Sequence, residues 1–444
     1  MFIYLIENFL NTKIYQKSMD IAEIKRIIQE QENVKNRKLR EEKIIEREVD
    51  KKLLKRFIKY PNILVVLGIR RCGKSVLSWL LMEGKKYGYI NFDDESFYDI
   101  QTKDLNTILR ALYELYGDID YLILDEIQNV RGWELFATRL RNTKKIIITG
   151  SNSQLLSGEL ATHLTGRHID YVLFPFSFRE FCIYNGIDLG LKSNYTTEIS
   201  AKMGRSLDEY IEKGGLPEVY LFGESILKTV FGDIIRKDII RRYNIRTSII
   251  ESLAKYLVTN FASEITFNKL KNVFSIKKVQ TIKKYIKYFE DAYIIFVIER
   301  FSFKLKEQVI APKKIYCIDT GIINSISFKS SENRGKLFEN VVCIELFRRK
   351  HKNNYEIYYW KDHQQKEVDF IIKEGPRVKQ LIQVCYDIED IKVKKREIDG
   401  IIKASNDLKC KNLLIVTFSN EGEEKIGNKM IKYIPLWKWL LKNE

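Results

Sequence analysis

Residues 62–81 read NILVVLGIRRCGKSVLSWLL. An apolar run breaks at Gly68 and resumes as an amphipathic pattern after Lys74. The spacing G-x-x-x-x-G-K-S between a predicted strand and a predicted helix describes a phosphate-binding loop. In such a turn successive backbone N–H groups point inward, and the following helix adds its positive end. Gly68, Ile69, Arg70, Arg71, Cys72, Gly73, Lys74 and Ser75 are therefore the candidate nucleotide cradle. Lys74 is placed for the β- and γ-phosphates, and the Ser75 hydroxyl for Mg²⁺. Whether Arg70 faces adenine or a partner is left open by the pattern.

Outward from this loop, strands and helices alternate. GYINFDD, DYLILDE and KKIIITGSN read as strands, while DLNTILRALYELY and GWELFATRLRN read as helices. Such alternation implies right-handed crossovers and a parallel sheet covered on both faces, the α/β class. YLILDEIQNV ends a buried strand with Asp125 and Glu126 side by side. Asp125 is placed for the Mg²⁺ shell, and Glu126 to orient or deprotonate an attacking water, a pairing that favours a hydrolysing ATPase. The next strand ends in Ser151, Asn152 and Ser153. Asn152 is the candidate γ-phosphate sensor with Ser153 behind it, although an Asn/Ser turn would look the same. Arg167, in HLTGRHIDY, stands where an arginine finger could complete a neighbouring subunit's site; a surface arginine is the equal alternative.

The 444 residues are too many for one ordinary core, and two to four domains are expected. A formal charge of +17, from 76 Lys and Arg against 59 acids, has nucleic acid as its commonest partner and a solvated lysine-rich surface as its plain alternative. Six scattered cysteines show no metal spacing and no disulfide framework, which implies a reducing cytoplasm. MFIYLIENFL lacks a basic start and a cleavage site, so no signal peptide is expected, and Met19 is an alternative start. No uncharged run reaches membrane-spanning length.

Four segments follow from the pattern: an N-terminal helical segment (1–58), the P-loop ATPase with a helical extension (59–246), a helix-helix-helix-strand-strand unit fitting a winged helix-turn-helix (247–325), and a small α/β unit (326–444). Residues 269–288, KLKNVFSIKKVQTIKKYIKY, hold seven lysines and no acid. Ile282, Ile286 and Phe289 form the buried stripe expected of its second helix, leaving Lys277, Lys278, Lys283, Lys284 and Lys287 outward. Lysines so placed give phosphate affinity with little sequence information, and DNA is the expected partner.

Taken together, GIRRCGKS, YINFDDE, LILDEIQNVRGWE, TGSNSQLLSGELATHLTGR, FPFSFREF and EKGGLPEVY resemble the archaeal and bacterial AAA+-type ATPases. In these a winged helix and a C-terminal domain of restriction-nuclease fold follow the ATPase; LFENVVCIELFRR and YYWKDHQQKEVDFII extend the match. The resemblance implies ATP and Mg²⁺ as ligands, a connection to DNA, and a homo-oligomer if Arg167 acts in trans. It further implies Glu339 and Asp369 as metal ligands of a nuclease-like site. Where those nucleases carry Glu-x-Lys, however, this chain reads Gln383-Val-Cys385, so two acids alone give an incomplete site. The expectation is an ATPase engaging DNA. Its rivals are an ATP-gated endonuclease and a nucleotide-bound regulator of a protein partner.

Overall fold

The computed structural model describes residues 19–59, 61–156, 166–189, 196–245, 247–327, 334–350 and 353–442. The expectations for the first decapeptide and for residues 157–165 lie outside these. Strands β1 (Ile63–Leu67), β2 (Tyr87–Asn91), β3 (Tyr121–Asp125), β4 (Lys145–Gly150) and β5 (His168–Val172) form a wholly parallel sheet in the order β2-β3-β4-β1-β5. All five residues of β1 are buried, as a central strand covered on both faces requires. Crossover helices bury one stripe each; Leu105–Tyr116 turns in Leu105, Ile108, Ala111 and Leu112. This order sets the carboxyl ends of β3, β4 and β1 side by side, which is where an open α/β sheet binds its ligand.

The N-terminal segment is part of the same core. Helix Ile21–Glu41 buries Ile24, Ile27 and Ile28 against helix Leu105–Tyr116 and β2. Helix Lys51–Lys59 packs Leu54 and Ile58 toward β1 and β4. The chain linking them carries Ile45 and Arg47 across the phosphate loop.

After the sheet come helices Phe178–Tyr184, Thr197–Lys213, Val219–Phe222 and Ile226–Asp233, the last running into a π-helical stretch, Ile234–Arg241. Helices Thr247–Thr259, Phe267–Val273 and Val279–Asp291 then lead to a second sheet. Its strands are β6 (Ser263–Ile265), β7 (Ile295–Arg300), β8 (Lys313–Cys317), β9 (Glu356–Lys361), β10 (Glu367–Glu374), β11 (Arg377–Cys385), β12 (Leu413–Thr417), β13 (Gly422–Ile426) and β14 (Lys429–Pro435), in the order β13-β14-β12-β11-β10-β9-β7-β8-β6.

The sheet therefore crosses the boundary expected at 325/326. β7 pairs in parallel with β9 through Glu299–Tyr358 and Arg300–Tyr359. A short hairpin is marginal on its own, and joining a larger sheet covers its edge. Strands β6, β13 and β14 are additions to the sequence reading, as is helix Leu305–Ile310. β6 has three residues, too few for a period-2 pattern to show. Among the described residues no helix is long and apolar enough to cross a membrane.

Candidate nucleotide site

The turn after β1 needs its glycines. A Cβ on Gly68 would lie 2.2 Å from the Leu173 carbonyl oxygen, and Gly73 has φ +100° at the mouth of the helix. Arg47 fastens the turn from outside: its guanidinium donates to the Cys72 and Phe174 carbonyls at 2.9 and 2.7 Å and to Glu180 at 2.9 Å. Cys72 is buried, its thiol donating to the Leu173 carbonyl, and burial raises its pKa away from reactivity. Lys74 is 5 % exposed and donates to the Gly68 and Ile69 carbonyls at 3.1 and 3.2 Å.

Asp125 ends β3 against three hydroxyls. Tyr89 donates to it at 3.0 Å, Thr149 donates to its other oxygen, and Ser75 bonds the same carboxylate. Burial first, and Glu126 second, still raise the Asp125 pKa above the usual carboxylate range. Glu126 follows in the left-handed region at φ 53°, a conformation uncommon outside glycine that aims its side chain back over the loop. One of its oxygens lies 3.5 Å from Lys74 Nζ; the other accepts from Gln128 and from the Ser151 backbone N–H at 3.2 Å. Burial opposes ionisation of Glu126, but Lys74, Arg70 and Gln128 outweigh it and hold the pKa low.

Lys74, Ser75, Asp125 and Glu126 thus line one cleft of about 340 Å³ with Arg70, Arg71 and Gly73. The cleft continues along Ile45, Phe176 and Tyr184, an apolar cluster able to receive a flat base. A carboxylate and a hydroxyl in contact at its floor are hard oxygen donors, the chemistry Mg²⁺ takes. The residues present fit a nucleotide with its metal.

The remaining candidates lie elsewhere. Asn152 is fully buried, its amide donating to the Asp238 carbonyl at 3.3 Å. Ser153 turns away toward Asp291, donating at 2.8 Å. Arg167 is exposed and precedes β5; its carbonyl accepts from Ile63 N–H at the start of β1. That is the amino edge of the sheet, opposite this chain's own phosphate loop. Lys277, Lys278, Lys283, Lys284 and Lys287 are all exposed, with Ile282, Ile286 and Phe289 buried beneath. Lys287 reaches Asp291 at 3.1 Å, so Asp291 joins this helix to the β4 turn.

Glu339 and Asp369 do converge, but around a side chain absent from the expectation. Lys314 of β8 is 4 % exposed, its ammonium 2.9 Å from Glu339, 3.1 Å from Asp369 and 2.5 Å from Glu367. The Tyr316 hydroxyl also donates to Glu339, at 2.6 Å. Burial disfavours the Lys314 charge, yet Glu339 and its neighbours raise the pKa well above the ordinary lysine value. Three acids share this one cation; burial and Glu339 push Asp369 up to about 7. The Gln383 carbonyl oxygen accepts from Asp369 N–H at 3.2 Å and its amide donates to Glu397 at 2.6 Å. Lys361 is engaged with Glu264 and Glu367, and Lys366 lies 4.0 Å from Asp399. Lys314 sits some 55 residues before Asp369, and nothing local in KKIYCID announces it.

A parallel sheet with a glycine loop after the interior strand β1 and an Asp-Glu pair at the end of β3, with β4 between them, defines a P-loop ATPase of AAA type, and residues 60–182 match the family model described as an AAA domain. The chain belongs to the family of the uncharacterized protein MJ1544 of Methanocaldococcus jannaschii, with which it is 36% identical over 98% of this chain and 100% of that protein. Residues 204–333 and 334–439 match two domains of unknown function, DUF8612 and DUF4143. An uncharacterized protein of Haemophilus influenzae is 29% identical over 84% of this chain and 94% of its own length. Among solved structures, a Walker-type ATPase of Pyrococcus abyssi aligns at 14% identity with TM-score 0.43, covering 64% of this chain and 96% of that one.

Proposed function

We propose that the chain hydrolyses ATP with Mg²⁺ and couples nucleotide state to DNA engagement. The observation carrying this reading is the convergence of Lys74, Ser75, Asp125 and Glu126 at one sheet edge. When bound, Mg²⁺ held by Ser75 and Asp125 would screen the phosphate charge. Lys74 exchanges its loop carbonyls for phosphate oxygens. That weakens its pairing with Glu126, which then orients the water and takes its proton while Gln128 and the Ser151 N–H hold the carboxylate in place. The base lies along Ile45, Phe176 and Tyr184.

For DNA, the support is five exposed lysines on the third helix of a unit read as a winged helix and in the turn before it, tied through Asp291 to the turn after β4. Residues 326–444 are read as the nuclease-fold unit. The Lys314 ammonium among its acids supports a non-cleaving role over the ATP-gated endonuclease. Steady-state ATP hydrolysis with and without duplex DNA tests the proposal. Stimulation that is lost in Lys283→Glu/Lys284→Glu is expected; turnover indifferent to DNA would favour the regulator of a protein partner.

A further inference from the structure

The phosphate loop carries two arginines that its glycine, lysine and serine positions do not demand. Both are held by acids of the helical segment after the sheet. Arg70 forks onto Asp238, Nε and Nη2 each donating at 3.0 Å to separate carboxylate oxygens, while Nη1 donates to Asp93 at 2.9 Å. Arg71 reaches Glu218 at 2.6 Å and Asp233 at 3.3 Å. Asp238 is buried in the π-helical stretch and also accepts from the Ser151 hydroxyl at 2.7 Å. Ser151 in turn gives its N–H to Glu126. The Arg70 guanidinium is therefore linked to the candidate base through Asp238 and Ser151, in the same cleft as Lys74.

We infer that Arg70 is the residue by which this site distinguishes a nucleoside triphosphate from a diphosphate, with Asp238 as the counter-ion from which the terminal phosphate takes it. The inference rests on the ATP reading above. A planar guanidinium fork fits two phosphate oxygens as well as two carboxylate oxygens, so exchange of partner keeps its donors satisfied. A terminal phosphate brings negative charge next to Glu126, and the cleft needs a second cation besides Lys74 to accept it. A diphosphate ends one group short and leaves Arg70 on Asp238. The released Asp238 keeps the Ser151 hydroxyl but loses its cation while buried, a state that favours rearrangement of the π-helical stretch around it. Such stretches recur at functional sites. Asn152, bonded to the Asp238 carbonyl, then reports the terminal phosphate through Asp238 instead of by touching it.

The test is the affinity of the full chain for fluorescent ATP and ADP analogues with Mg²⁺, in wild type, Arg70→Ala, Asp238→Asn and Asp93→Asn. Arg70→Ala is expected to weaken the ATP analogue about tenfold or more and the ADP analogue less than about threefold, since charge-assisted bonds to the terminal phosphate alone are removed. Asp238→Asn keeps the Ser151 bond, loosens the fork, and is expected to raise the ATP-to-ADP preference. Asp93→Asn, at a more exposed carboxylate, moves the preference the same way and covers the case in which Asp238→Asn fails to fold. Equal weakening of both analogues in Arg70→Ala, or none, would overturn the inference while leaving the ATPase reading intact. A wild-type chain binding neither analogue would overturn both.

Discussion

Glu126, proposed as the general base, has a left-handed backbone, a lysine partner and two donors that fix its carboxylate. Glu126→Gln removes the base while keeping the shape, so turnover should fall about 10²–10⁴-fold with ATP binding retained. A rate within threefold of wild type in single-turnover hydrolysis would remove Glu126 from the chemistry. Asp125 carries a prediction with a sign. Its pKa is raised by burial and by Glu126, so protons compete with Mg²⁺ at higher pH than they would at an ordinary aspartate. The Mg²⁺ concentration for half-maximal turnover should therefore increase as pH falls, by at most about tenfold per pH unit for one displaced proton. Activity measured against Mg²⁺ at several pH values checks this, and a pH-independent midpoint contradicts it. These residues were legible because strand, loop and helix lie within a few positions of each other. Arg47 and Asp238 were not: their partners are Cys72 and Phe174, 25 and 127 positions on, and Arg70, 168 positions back.

At the scale of elements, helix Val279–Asp291 separates its apolar and basic residues by face. Ile282, Ile286 and Phe289 are buried, and lysines hold the outer side. The 3.6-residue period made this visible in advance, since burial of one stripe fixes where every other side chain points. What the period could not show is Asp291, an acid at the helix end bonded to Ser153 of a distant turn. Lys283→Glu/Lys284→Glu should weaken duplex DNA binding and flatten its salt dependence by roughly two counterions, measured as the slope of log affinity against log salt. An unchanged slope would leave these lysines as a solvated face. Ser153→Ala should preserve both DNA affinity and basal ATP turnover yet reduce the stimulation of one by the other. Full stimulation in that variant would show that the Ser153–Asp291 contact carries no coupling.

Across the whole molecule, the second sheet binds the middle of the chain to its end. Lys314 on β8 makes the bond ionic, holding Glu339 of helix Arg334–Lys350 and Asp369 of β10. The order of the two acids was readable from sequence, but the cation between them came from a strand assigned to another unit. Lys314→Met leaves the buried Asp369 and the partly buried Glu339 without their cation, while Glu367 keeps Lys361, and should cost about 3–5 kcal/mol, read from denaturant midpoints. A neutral substitution would show that the cluster holds nothing together.

ATP hydrolysis is proposed for the cleft at the end of the parallel sheet. Steady-state phosphate release by the purified chain, beside Lys74→Ala and with duplex DNA added or withheld, tests it most directly. Mg²⁺-dependent turnover is expected in the wild type, stimulated by DNA and abolished in Lys74→Ala. Wild-type release no greater than that of Lys74→Ala, under both conditions, would contradict it.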